Sequence, residues 1–314
     1  MRSICGDIGG THDDLAVVED GEILLHQQRK TRRQHSFVNY LEDFIEEADD
    51  KGIGADRACF AAAGPVRDGV VNLTHTNLRV DREQIASSTD LTEVKVANDF
   101  TAFTDATQVV DESQIKHLQQ GDSRDLDTVS VIGAGTGLGK GVLVGTENGH
   151  RHVESEGGHA PAPIRPRDGG LHSFIEDRTG RPPVQEDFVS GRGLKNIHDF
   201  LRQESFPNAE ELSPEQISER KDRQDSCREA FDLFVSVYAD LVRAFALETN
   251  PGKGVYIGGG VAARNPDEFG SRFVERFADA PEPRFERLLR GMPVRLVTDY
   301  KASLLGAEHI LETH

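Results

Sequence analysis

The stretch Ile4-Cys5-Gly6-Asp7-Ile8-Gly9-Gly10-Thr11 decides the fold. It reads as an apolar strand with a carboxylate near its end, broken by paired glycines. Two more strand-like runs follow, Leu15-Ala16-Val17-Val18 and Glu22-Ile23-Leu24-Leu25, joined by Asp20-Gly21. Asp-Gly between apolar runs is a hairpin signal. The first strand therefore continues as an antiparallel meander, which is not the strand–GxGxxG–helix order of a dinucleotide-binding fold. The pattern returns downstream. Val129-Ser130-Val131-Ile132 is a strand, Gly133-Ala134-Gly135-Thr136-Gly137-Leu138-Gly139 a glycine turn and Gly141-Val142-Leu143-Val144 the returning strand, with a further turn at Glu147-Asn148-Gly149. Strand, glycine turn, strand, turn, strand, found twice, suggests two related halves.

Length agrees with that division. The 314 residues exceed the usual size of one compact core and suggest two domains or one large α/β unit. No apolar run approaches membrane-spanning length, and the first residues enter a strand pattern directly, so a cytoplasmic protein is expected. The three cysteines, Cys5, Cys59 and Cys227, form no CxxC pair, which argues against a disulfide framework or a zinc site. Acidic residues outnumber basic ones, 54 to 36, for a net charge of −18. Such a surface repels nucleic acid and anionic membranes. Its acid-rich, lysine-poor character resembles that of proteins from salt-loving organisms, where salt screens the self-repulsion. An anionic substrate needs a local device against this field, such as glycine-rich backbone loops or a divalent metal.

Between the two halves, Val94-Lys95-Val96-Ala97 reads as a strand running into a helix at Asn98-Asp99-Phe100-Thr101-Ala102. The first N–H groups of that helix need an acceptor, so Asp99 alone is most simply a helix cap. Residues 110–128 are polar and weakly patterned and look like a boundary loop. Residues 154–193 are long for a structureless connection and are expected to be functional or to contain short helices. Ser213-Pro214-Glu215-Gln216 is a capping-box helix start, and an amphipathic helix is expected over 227–247. Gly258-Gly259-Gly260 ends another strand and leaves room for a flat base or ribose.

Asp7-Ile8-Gly9-Gly10-Thr11 can bend so that N–H groups meet a phosphate while Asp7 holds Mg²⁺, through water. Gly133-Ala134-Gly135-Thr136-Gly137 can do the same on the other side of a polyphosphate. Taken singly, each is also an ordinary turn. Glu156-Gly157-Gly158-His159 sets a carboxylate and an imidazole three residues apart, which suits the hydroxyls of a polyhydroxylated ligand. Glu186 is a weaker instance, and taken singly each is more simply a solvated loop of an acidic protein. Lys140 is long enough to reach a phosphate, but an exposed loop lysine is the simpler expectation.

In order, Asp7 to Thr11, Gly64-Pro65, Asn98 to Ala102, Gly133 to Gly139, Glu156 to His159, Ser190-Gly191-Arg192-Gly193-Leu194 and Gly258 to Gly260 resemble the bacterial-type glucokinase family, within the sugar kinase/actin/heat-shock ATPase superfamily. The resemblance covers nearly the whole chain. It implies an actin-like ATPase (ribonuclease H-like) α/β fold of two domains, each a mixed sheet flanked by helices, with an interdomain cleft. Residues 1–108 with 298–314 would form the small domain and 109–297 the large one. It implies ATP and Mg²⁺ as cofactors and glucose as the sugar phosphorylated. Asp99 matches the catalytic base. Asn98, Glu156, His159, Glu186 and, in the loop after Gly64-Pro65, Asn77 match sugar contacts. Asp7, Gly9, Gly10 and Thr11 match the first phosphate motif. Gly133, Gly135, Thr136 and Gly137 match the second, and Gly258, Gly259 and Gly260 the adenosine motif. The family often dimerises through its large domain.

Two departures stand out. The family usually follows Gly-Gly-Thr with Asn and, two residues later, Arg; here those places hold His12 and Asp14. No cysteine cluster follows His159, which argues against the zinc-bearing repressor-and-kinase (ROK) branch. Kinases for other hexoses, a non-catalytic sugar or nucleotide sensor and an actin-like filament protein are the competing expectations.

Overall fold

The computed structural model describes residues 1–10, 12–31, 36–73, 78–147, 149–162 and 169–313. They divide into two compact units, Met1–Glu112 with Lys301–His314, and Ser113–Tyr300. The first unit runs β1 (Arg2–Ile8), β2 (His12–Glu19), β3 (Glu22–Lys30), α1 (Phe37–Asp50), β4 (Arg57–Ala62), β5 (Val70–Asn72), β6 (Arg79–Asp81), α2 (Arg82–Ser88), β7 (Glu93–Asn98) and α3 (Asp99–Ala106). The second runs β8 (Ile115–Gln119), β9 (Thr128–Ala134), β10 (Leu138–Thr146), β11 (Gly149–Ser155), α4 (Gly169–Thr179), α5 (Gly191–Glu204), α6 (Pro214–Arg220) and α7 (Asp225–Thr249). It continues through β12 (Val255–Gly258), α8 (Gly260–Ala263), α9 (Ser271–Ala278), α10 (Pro283–Arg290) and β13 (Val294–Val297). The last helix, α11 (Ala302–Thr313), belongs to the first unit.

Among the described residues the main sheet of the first unit has the order β3-β2-β1-β4-β7. β1 is antiparallel to β2 and parallel to β4. The turn between β2 and β3 has Asp20 and Gly21 at φ 52 and 81, the pair of positive values that an Asp-Gly hairpin turn requires. Strand residues alternate between two apolar layers. Ile4, Leu15, Val17 and Phe60 face α1, with Phe37, Leu41 and Phe44. Cys5, Ala16, Cys59 and Ala61 face α3 and α11, with Ala102, Leu304 and Ile310. α11 lies so close to α3 that a Cβ on Gly306 would come within 1.8 Å of the Ala102 carbonyl oxygen.

The larger sheet of the second unit has the order β11-β10-β9-β12-β13-β8. Here too an antiparallel meander, β9 to β11, leads into a parallel pairing, β9 with β12. α7 buries Phe231, Phe234, Tyr238, Leu241 and Phe245, and ends at Asn250 in the left-handed conformation. α6 opens with Ser213 and Gln216 capping each other and Pro214 in the first turn, as its sequence predicts. The expected boundary loop at 110–128 differs from expectation: it contains β8, a polar strand at the sheet edge.

Candidate active site

In the first unit the site elements sit at the ends of β1 and β7. Asn98, not Asp99, caps α3: its side-chain oxygen accepts from Phe100 N–H at 2.9 Å and Thr101 N–H at 3.1 Å. The Asn98 amide donates to the Gly64 carbonyl at 3.0 Å, which ties the cap to the Gly64-Pro65 turn. This corrects the simplest reading of Asp99. It is the first helical residue, and its carboxylate accepts from the next backbone N–H, Phe100, at 2.9 Å.

The Gly9 N–H donates within its own turn, to the His12 carbonyl at 3.0 Å, so it is not available to a phosphate. The Gly10 amide has no partner among the described residues. Thr11 and Asn77 lie outside the described residues. Asp7 pairs across the sheet with Asp14 and shares the α11 face with Cys5. Burial raises the Asp7 carboxyl to about 7, with the charges of Asp99 and Asp14 adding to the shift. A divalent cation beside Asp7 would relieve that repulsion, so the donor chemistry fits Mg²⁺. Among the described residues no three His, Cys, Asp or Glu side chains gather as a metal cage. That suits an ion which keeps its waters and takes substrate phosphates as ligands.

Asp14, in the place of the family's arginine, is engaged with β3. Its carboxylate lies 2.6 Å from His26 Nε2 and accepts from Gln28 at 3.1 Å. Asp13, its neighbour, is fully buried. The Thr31 hydroxyl lies 2.8 Å from both the Asp13 carboxylate and the Gly9 carbonyl, and so pins the glycine turn. Burial pushes the Asp13 carboxyl up to about 7, against the Thr31 hydrogen bond. A carboxyl raised above its unfolded value weighs against folding once the pH exceeds that unfolded value, and the penalty grows until the pH passes the folded one. Asp13→Asn therefore stabilises the protein by at least about 1 kcal/mol at about pH 8, and the gain vanishes near pH 4. Denaturant melts at the two pH values measure it; an equal gain at both would assign the effect to packing instead.

In the second unit the turn after β9 is closed by Gly135 N–H to the Gly137 carbonyl at 2.9 Å. The Gly135 carbonyl accepts from Gly191 N–H, at the start of α5, at 2.8 Å. The amides of Thr136 and Gly137 are left without a partner among the described residues, the arrangement an anion needs. Glu186 is drawn into this turn: its carboxylate accepts from Leu138 N–H at 3.1 Å and from Arg192 at 2.6 Å. Each oxygen keeps capacity for a further donor such as a sugar hydroxyl.

Glu156 and His159 stand on a one-turn 3₁₀ helix, Gly157–His159, seated on β10. A Cβ on Gly158 would meet the Leu138 carbonyl at 2.2 Å, so the turn approaches the strand as closely as glycine allows. The imidazole and carboxylate are 4.0 Å apart and mostly exposed. The turn is tied to the Glu186 segment by Gln185 N–H to the Ala160 carbonyl at 2.9 Å. Glu156, His159, Glu186 and the phosphate-type turn are therefore neighbours within one unit.

Gly258 of β12 pairs with Gly133 of β9, which sets the third glycine motif beside the second. Gly259 has φ 81, and a Cβ there would fall 2.4 Å from the Ala134 carbonyl oxygen. A Cβ on Gly135 or on Gly260 would meet nothing within 4 Å. Beneath them the Tyr238 hydroxyl lies 3.3 Å from the Ile132 carbonyl and 3.4 Å from that of Gly258.

The doubled strand–turn–strand architecture is that of the actin-like ATPase sugar kinases. A glucokinase from an Antarctic psychrotroph superposes with a TM-score of 0.82 at 26% identity, over 100% of this chain and 99% of that one. A ROK family glucokinase from Streptomyces griseus, solved with glucose and AMPPNP, shares the fold: TM-score 0.67, 22% identity, 99% of each chain. The family model described as Glucokinase matches residues 4–314. The chain is 30% identical to the glucokinase of Nitrobacter hamburgensis over 98% of its own length and 96% of that relative's. The chain belongs to the glucokinase family. No helix among the described residues is long and apolar enough to cross a membrane.

Proposed function

We propose that this chain transfers the γ-phosphoryl group of ATP to the 6-hydroxyl of D-glucose, with Asp99 as general base. The observation that carries the reading is the division of labour at the start of α3. Asn98 satisfies the helix N–H groups, and Asp99, at the end of β7, stands near enough to Asp7 for its charge to raise that carboxyl. Phosphoryl transfer needs alignment and charge stabilisation more than covalent chemistry. Asp99 accepts the hydroxyl proton as the sugar oxygen bonds to phosphorus and the bond to the ADP oxygen breaks. Asn98, Asn77, Glu156, His159 and Glu186 orient the sugar hydroxyls. The amides of Gly10, Thr136 and Gly137 meet the phosphates, and the Gly258 to Gly260 turn takes the adenosine. Mg²⁺ at Asp7, when bound, offsets phosphate charge. The glucose and AMPPNP of the Streptomyces griseus relative support this choice of substrates.

A second reading, phosphorylation of another hexose, uses the same residues. Coupled ADP release with glucose, mannose, fructose and N-acetylglucosamine separates the two, and kcat/KM is expected to be highest for glucose. Turnover of none of them would leave a sensor instead. The net charge of −18 adds an expectation for the same assay: activity is retained or increased at molar salt, and full activity at low salt would remove the halophilic reading.

A further inference from the structure

Lys140 is not the exposed loop lysine its sequence suggests. It lies within β10, paired with Ile132 of β9 and Ser155 of β11, and is 4% exposed. Among the described residues no ion pair or hydrogen bond to its ammonium is found. It stands 4.7 Å from the centroid of the Phe245 ring on α7, with the charge of Glu248 drawing on it from the surface. Burying an ammonium without a counter-ion opposes folding, so core packing alone favours a neutral side chain of this length. What the lysine touches along its stem is the turn that carries the sugar-type residues. A Cβ on Gly157 would come within 2.8 Å of Lys140 Cδ and 3.6 Å of Cε. Gly157 and Gly158 thus rest on two consecutive inward residues of β10, Lys140 and Leu138.

We infer that Lys140 is a positioning residue: its alkyl stem, packed under Gly157, sets the place of the turn that presents Glu156 and His159. The Phe245 face holds the far end of the stem, with the ammonium over the ring. The stem, not the charge, is what the turn feels. The consequence for sugar binding rests on the reading that Glu156 and His159 hold the sugar.

Three variants test this. Lys140→Ala removes the support, Lys140→Met keeps its length without the charge, and Gly157→Ala adds a methyl where the stem lies. Amide hydrogen exchange over residues 156–160 reads the turn itself. It is expected to speed up in Lys140→Ala and to match the parent in Lys140→Met. Lys140→Ala raises KM for glucose by about tenfold, as for the loss of one well-made hydrogen bond, with kcat and KM for ATP little changed. Lys140→Met keeps the parent KM. Gly157→Ala raises KM in the parent but lowers it again when added to Lys140→Ala, because the methyl then fills the vacated space. Unchanged exchange in Lys140→Ala overturns the inference, as does a Lys140→Met protein that behaves like Lys140→Ala. Glu156→Ala serves as the separate control. If it leaves KM for glucose unmoved, the sugar assignment of the turn fails, while the exchange measurement still decides the role of Lys140.

Discussion

Asp99→Asn lowers kcat for glucose phosphorylation by at least about 10²-fold, toward 10⁴-fold, because it removes the acceptor for the hydroxyl proton. KM for glucose stays close to the parent value. The amide is nearly isosteric with the carboxylate, and its oxygen can still accept from the Phe100 N–H that Asp99 now holds at 2.9 Å. The helix does not depend on residue 99 for its cap, since Asn98 supplies both hydrogen bonds. The thermal midpoint is therefore expected to move little, and the loss is one of chemistry rather than folding. Steady-state kinetics with glucose varied at saturating ATP gives both constants. A variant with near-normal turnover and unchanged sugar binding would show that Asp99 is not the base.

Gly306→Ala is the substitution expected to damage the fold most. In an ordinary helix interior the change stabilises by about 1 kcal/mol, since alanine is the better helix former. Here the new methyl would stand 1.8 Å from the Ala102 carbonyl oxygen and 2.8 Å from the Ala106 nitrogen, both backbone atoms of α3. Neither can rotate aside, so α11 must move off α3. Overpacking of this kind costs about 3 kcal/mol or more and outweighs the propensity gain. α3 begins at Asp99, so turnover falls as well. Denaturant unfolding checks the first effect and kinetics the second. A Gly306→Ala protein as stable as the parent would mean that the two helices are not in contact at this point.

Much of this arrangement was legible in the residues. Asp20-Gly21 announced its hairpin because only a turn with two positive φ values suits that pair between strands. Ser213, Pro214 and Gln216 announced the start of α6 because their capping chemistry is local. What stayed hidden depends on neighbours distant in sequence. Asn98 and Asp99 are both good caps, and only the point where β7 stops pairing with β4 decides between them. From sequence Glu186 reads as a solvated loop carboxylate, or by resemblance a sugar contact; its bonds to Leu138 and Arg192 need the fold to bring three segments together. Lys140 followed a glycine turn and so looked exposed, but its pairing on both sides places it under Gly157. Ile115-Lys116-His117-Leu118-Gln119 lacks the alternation of a half-buried strand, since β8 is an edge strand of mixed exposure.

The first unit is assembled from two pieces of chain separated by the whole of Ser113–Tyr300. α11 supplies Leu304, Leu305, Ala307, Ile310 and Leu311 to one of its two apolar layers. During synthesis, β1 to α3 leave the ribosome with only α3 against that layer, and it stays so while nearly two hundred further residues are made. The second unit, continuous in sequence, can reach its native state first. A nascent chain halted before residue 301 would then hold one finished unit and one half-built sheet, the species a chaperone would meet.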